Sequence, residues 1–221
     1  MDSFDSIFQR AAERKGGPAA LEDMLPVPAS DAVLRKRPDD RYLAEMTKCI
    51  FRSGFVWQII ENKWSGFEAA FDRFDVSSAA MLSDEDLERL GADERIVRNG
   101  VKIRAVRGNA QFIREVREEH GSFGAFLAAW PREDFVGMWE VLKQRGERLG
   151  GQTGRFFLRF VGWDTPVLSA DVVGALIAQG VVDRNPTSRK ALLAVQAAFN
   201  AWHEESGRPF CQISRTLSAT V

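Results

Sequence analysis

Apolar residues in this chain return every third or fourth position, and nowhere in sustained alternation. Leu43, Met46, Ile50 and Trp57 fall on one face at 3–4 and 7 spacing. Ile103, Val106, Ala110 and Ile113 do the same, as do Leu192, Val195, Phe199 and Trp202. A stripe of that period packs when wound as a helix and is scattered over both faces of a strand. Boundary residues agree. Ser83 ahead of Asp84-Glu85-Asp86 predicts a capping box with an acidic first turn, and Gly91 the end of that helix. Asn185-Pro186 reads as the cap and first-turn proline of the last long helix, Asn99-Gly100 as a turn, and Gly121 as the stop of the helix before it. The expected fold class is all-α.

With 221 residues, 45% of them hydrophobic, the chain can bury one sizeable domain or two small lobes sharing a core. Most of its 16 Phe and 6 Trp must then be core. Residues 1–38 read as an amino-terminal arm: an amphipathic stretch (Phe4, Ile7, Phe8, Ala11) followed by Gly16-Gly17-Pro18, then Pro26 and Pro28. The body spans 39–221, interrupted in its second half by the glycine-rich break Gly150-Gly151-Gln152-Thr153-Gly154.

Several function classes drop out. The net charge of −1 gives no global basic field, so any contact with nucleic acid must come from a local patch. Two cysteines, Cys49 and Cys211, make no disulfide framework and point to a reducing compartment. The acidic start lacks a signal peptide's regions, and no run approaches the ~18 apolar residues of a membrane span. A cytoplasmic protein with no membrane partner is the expectation. The only histidines, His120 and His203, fit no nucleophilic triad, and with Cys49 and Cys211 they lack metal-ligand spacing. Neither a phosphate-binding loop nor a dinucleotide glycine fingerprint occurs. No cofactor and no metal are expected.

Three features can carry chemistry. Cations crowd the region from Glu94 to Arg117 (Arg95, Arg98, Lys102, Arg104, Arg107, Arg114, Arg117), with a second cluster at Arg184, Arg189 and Lys190. They read either as a solvated face with interspersed acids or as a patch that tracks phosphates. The glycine-rich break can be an ordinary loop. It can also be a tight hairpin feeding a helix near Thr153 whose free N–H groups attract a phosphate oxygen. Asp171 stands where a helix should start and Asp164 lies in Gly162-Trp163-Asp164-Thr165-Pro166, and each is either a cap or a carboxylate able to stabilise a positive sugar or activate water.

The stretch from Tyr42 to about Phe112 resembles the 3-methyladenine DNA glycosylase I family, within the helix-hairpin-helix glycosylase superfamily. The resemblance is carried by Gly54-Phe55-Val56-Trp57, Phe71, Phe74-Asp75, Ala80-Met81 and Asp86-Leu87-Glu88-Arg89-Leu90. It continues through Asp93, Ile96-Val97-Arg98, Lys102-Ile103 and Gly108-Asn109-Ala110. A second stretch includes Lys143-Gln144-Arg145-Gly146, the Gly151-Gln152-Thr153 hairpin and Asp171-Val172-Val173-Gly174. The resemblance implies a two-lobed helical fold with a cleft, and hydrolysis of the N-glycosidic bond of an alkylated purine such as 3-methyladenine. The nucleotide would be flipped out of double-stranded DNA by a protein acting as a monomer. Trp57 matches the pocket tryptophan that stacks on the base, which suits a cationic purine. Gly151, Gln152, Thr153 and Gly154 would grip the backbone beside the lesion, with Lys102 a further DNA contact.

The departures from the family pattern are specific. Its base-binding glutamate, eight residues before the tryptophan, is Cys49 here; on a continuous helix the two lie about 80° apart and face one pocket. A thiol is a weak hydrogen-bonding group and brings no negative charge. The family's amino-terminal tyrosine has no counterpart, and Asp171 and Ala175 replace a zinc-binding histidine and cysteine. Ser169 stands at the superfamily's catalytic aspartate position, which leaves Asp171 as the catalytic carboxylate candidate. Two alternatives follow: a non-catalytic damage-binding protein on a glycosylase scaffold, or a glycosylase with a changed lesion.

Overall fold

The computed structural model describes residues 1–221 and has no β-strand. Its helices are α1 (Phe4–Lys15), α2 (Pro18–Glu22), α3 (Asp31–Lys36), α4 (Asp39–Arg52), α5 (Trp57–Asn62), α6 (Trp64–Ala70), α7 (Val76–Ala80) and α8 (Asp84–Ala92). They continue with α9 (Gly100–His120), α10 (Phe123–Ala129), α11 (Phe135–Arg145), α12 (Gln152–Phe160), α13 (Ala170–Ala178), α14 (Arg189–Ser206) and α15 (Phe210–Ser218). The fold is all-α, as the periodicity requires. No helix is long and apolar enough to cross a membrane.

Two compact units divide the chain. One holds residues 30–130 and 139–161; the other holds 1–29, 131–138 and 162–221. In the first, α4 and α9 pack together, with α7 and α8 on α9 and α12 on α4. The residues explain these choices. α4 opens on Asp39 and Asp40 and closes on Arg52, which opposes its dipole at both ends, and it buries Tyr42, Leu43, Met46, Cys49 and Ile50. Asn99 begins α9 by accepting from Lys102 N at 3.1 Å, so it is a cap rather than part of a free turn, and Gly121 ends the helix at φ 85°. The capping box forms as the residues predict, Ser83 and Asp86 bonding reciprocally at 3.0 and 3.1 Å. Gly91, however, lies inside the last turn of α8, which runs on to Ala92.

Further boundaries differ from expectation. α14 starts three residues after Asn185-Pro186, where the Ser188 hydroxyl accepts from Ala191 N at 3.2 Å. The Ser188 hydroxyl thus makes the capping bond expected of Asn185. It is also not the last helix, since α15 follows. The first 29 residues group with the second unit. There α1 packs on α14 and α15, Phe4, Ile7 and Ala11 are buried, and Trp202 Nε1 donates to Asp2 O at 3.1 Å. An amphipathic helix that finds an apolar partner stays docked because burial outweighs the cost of ordering it.

Candidate functional site

The site begins where α4 stops. Ser53 donates from its backbone to Cys49 O at 3.2 Å, Gly54 turns the chain through φ 75°, and Phe55 N donates to Arg52 O at 3.1 Å. Trp57 therefore opens α5 instead of continuing α4, so the continuous-helix geometry expected for Cys49 and Trp57 does not hold. Lys102 from α9 fixes this corner. Its Nζ donates to Ser53 O at 2.6 Å and to Phe51 O at 3.2 Å, and lies 4.5 Å from the Phe55 ring centroid. Helix C-terminal carbonyls lack intrahelical donors, and a buried ammonium supplies them. At 5% exposure Lys102 is not the surface phosphate contact expected of it, and burial draws its pKa below the usual lysine value.

The second wall is the turn between α11 and α12. Buried Asn109 on α9 grips it twice, donating to Glu147 O at 3.0 Å and accepting from Glu147 N at 2.9 Å. Gly151 caps α12 at φ 62°, ψ −136°, without a side-chain cap bond. A Cβ on Gly154 would stand 2.2 Å from Leu149 O, so only glycine lets the helix and its own turn close up. Sequence reasoning found these glycines and missed the positioning role of Asn109, which a lone polar residue on an apolar face (0% exposed) could have signalled.

These pieces converge. Cys49, Trp57, Gln152 and Thr153 share one pocket of about 430 Å3 with Phe156 and Phe160, inside the ~300–1,000 Å3 common for small-molecule sites. Trp57 is 45% exposed and meets Phe156 and Phe160 edge-on, with centroids 5.9 Å away in each case. The Cys49 thiol is buried and donates to Glu45 Oε1 at 3.7 Å. Burial, with the nearby Glu45 charge, pushes its pKa well up, so it is a neutral group here. Arg52, absent from the sequence-level candidates, also lines the pocket. Its guanidinium lies 4.9 Å from the Trp57 centroid and 5.2 Å from that of Phe160.

The remaining candidates lie apart in role. Asp171 is exposed on the first turn of α13, and the capping bond there comes from Ser169, which accepts from Val172 N at 3.3 Å. Asp164 is a cap: its carboxylate accepts from Phe210 N at 3.0 Å and Cys211 N at 2.9 Å, starting α15. Five of the ten cations are held by acids. Arg95 pairs with Asp93, Arg98 with Glu94, Arg107 with Asp84, Arg117 with Asp39, and Arg184 with Asp183. That favours the solvated-face reading for those residues. His203 Nδ1 lies 2.7 Å from Arg208 O and its ring packs on Phe210, a structural placement.

Comparison with known proteins places this arrangement. The family profile for methyladenine glycosylase matches residues 35–146, just over half of the chain. The chain belongs to the methyladenine glycosylase family. The matched segment contains α4, the Ser53–Trp57 corner, Lys102 and Asn109, and ends before Gln152, Thr153, Phe156 and Phe160 of the pocket. Among curated proteins, DNA-3-methyladenine glycosylase 1 of Escherichia coli (strain K12) is 32% identical over 76 residues, 34% of this chain and 41% of that protein. The match thus spans less than half of that relative's length. Among solved structures, a 3-methyladenine DNA glycosylase I aligns with TM-score 0.51 and 22% identity over 66% of this chain and 87% of its own. The Staphylococcus aureus 3-methyladenine DNA glycosylase I, solved to show how it recognises 3-methyladenine, aligns with TM-score 0.53 and 21% identity over 71% and 92%. At these identities the likeness to the methyladenine glycosylases shows a shared fold.

Proposed function

We propose that this protein is a DNA glycosylase that takes an alkylated purine, such as 3-methyladenine, out of the duplex and hydrolyses its N-glycosidic bond. The supporting observation is the convergence of Trp57, Cys49 and the first residues of α12 on one aromatic pocket, within a chain of the methyladenine glycosylase family. A base inside the stack hides its reacting atoms, so the nucleotide must be extruded into such a pocket. Trp57 supplies the flat face, and an electron-rich indole favours a base that carries positive charge. The N-terminus of α12 beside it, led by Gly151, Gln152, Thr153 and Gly154, offers backbone N–H groups to a DNA phosphate.

The chemistry asked of the residues is modest. In a cationic purine, cleavage of the C1′–N bond returns the bonding pair to the ring and cancels its charge. Water then bonds to C1′ and loses a proton, leaving an abasic sugar and free base. What remains is to orient the base and stabilise positive charge on the sugar, and Asp171 is the carboxylate assigned to the sugar. Its freedom from the capping bond, which Ser169 makes, supports that assignment. Cytoplasmic action on damaged double-stranded DNA, as a monomer, belongs to the same proposal. The buried thiol at position 49, in place of a carboxylate, favours one second reading: a glycosylase whose lesion has changed.

Base release decides. Purified protein is incubated with alkylated duplex DNA and the free bases are separated by chromatography. Release of 3-methyladenine is expected, reduced about 5- to 150-fold by Trp57→Ala as a stacking face is lost, and reduced by Asp171→Asn with DNA affinity retained. Release of a different base alone would support the second reading. Salt-sensitive DNA binding with no base released from a broad lesion panel would refute both and leave a binding module.

A further inference from the structure

Arg52 raises a question that a purely structural arginine would not. It sits in the pocket, yet its Nε–H has no acceptor. Its guanidinium lies over Trp57 and Phe160, the surface on which a base would stack. Around it the charges balance: two carboxylates, Glu45 and Glu61, face two cations, Lys48 and Arg52. Arg52 pairs with Glu61, and its Nη1 lies 3.8 Å from Glu45 Oε1. Lys48 Nζ lies 2.8 Å from Glu61 Oε2. If Arg52 swings out, Glu61 keeps Lys48, whereas Glu45 keeps only the neutral Cys49 thiol at 3.7 Å. The site then carries one uncompensated negative charge beside an exposed indole face.

We infer that Arg52 is a resident stand-in for the ligand: a flat, delocalised cation on Trp57 that a cationic purine displaces, with Glu45 supplying the counter-charge that position 49 does not. A guanidinium and a methylated adenine ring share planarity and spread positive charge, so both gain from the same indole face. Glu45 stands one turn before Cys49 on α4, which brings its carboxylate to the same helix face. A neutral base gains nothing from Glu45 and cannot replace the charge of Arg52. Arg52 and Glu45 are therefore specificity-determining residues, and the substrate class is a purine with a fixed positive charge. This rests on the base-pocket reading proposed above.

The test measures binding without catalysis. The probes are 3,9-dimethyladeninium, permanently cationic, and 9-methyladenine, its neutral counterpart, titrated while the Trp57 indole resonance is followed by NMR. Arg52→Met, which keeps aliphatic length, is expected to raise affinity for the cation about 5- to 30-fold, and that for the neutral probe as well, since neither then has a guanidinium to displace. Arg52→Gln, planar and uncharged, should behave alike, and adding Glu45→Gln to either should cancel most of the gain for the cation while leaving that of the neutral probe. Unchanged or weakened cation binding in both Arg52 variants, with Trp57 still responding to a probe, overturns the inference and leaves the pocket reading intact. Silence of Trp57 toward both probes in every protein overturns the two together.

Discussion

Cys49 is held as a thiol by its surroundings, and that has a measurable consequence. Burial and the charge of Glu45 raise its pKa in the folded protein above the ~8.5 of a free cysteine. For an acid with a raised folded pKa, the unfolded chain loses its proton first. The contribution of this group to stability is thus fully present below about pH 8.5 and declines as pH rises beyond it. Urea unfolding from pH 7 to 10 should show a steeper alkaline loss of stability in wild type than in Cys49→Ala, and iodoacetamide should label Cys49 slowly until the protein unfolds. Residue identity was legible here before residue role. Cys49 and Trp57 announce themselves by type and context. Arg52 does not, because a cation in the last turn of a helix is what any helix prefers. Only the break at Ser53-Gly54, which brings the chain back over its own helix end, turns that ordinary arginine into a wall of the pocket.

At the level of elements, the turn before α12 is the most demanding piece. Gly151 adopts φ 62° with ψ −136°, a combination open in practice to glycine alone. Gly151→Ala is expected to cost about 1–3 kcal/mol in urea unfolding and to weaken DNA binding in parallel, since the strain falls on the N–H groups offered to phosphate. The glycine cluster made this turn readable from sequence. So did the stripes of α4 and α9, whose predicted residues Leu43, Met46, Ile50, Ile103, Val106, Ala110 and Ile113 are all buried. What could not be read was tertiary. Trp57 continues the stripe of α4 by arithmetic but not in space, and Lys102 belongs to a basic run yet spends its charge on two carbonyls. A pattern records which side of a helix is apolar; it does not record where another element needs a donor. The same limit misplaced the start of α14, where Asn185-Pro186 carried the stronger local signal and Ser188 made the bond.

For the molecule as a whole, the amino terminus matters more than its proline- and glycine-rich composition indicates. Ala11, Ala12 and Leu21 form a buried cluster with Ala219, so the first and last turns of the chain share one core. Deletion of residues 1–29 should uncover the apolar faces of α14 and α15. The expected result is a lowered melting temperature and increased binding of a hydrophobic dye, by differential scanning fluorimetry against the full chain. The arrangement also has a consequence in time. Asp2 and Trp202 are joined by a hydrogen bond across 200 positions, and at ~5–20 residues per second a ribosome needs roughly 10–40 s to make that much chain. α1 is made long before α14 and α15, and until they emerge it has only α2 among the helices it packs on. Through that interval the part of the apolar stripe of α1 that α14 and α15 later cover faces open water, which makes this helix a natural client for a chaperone at the ribosomal exit.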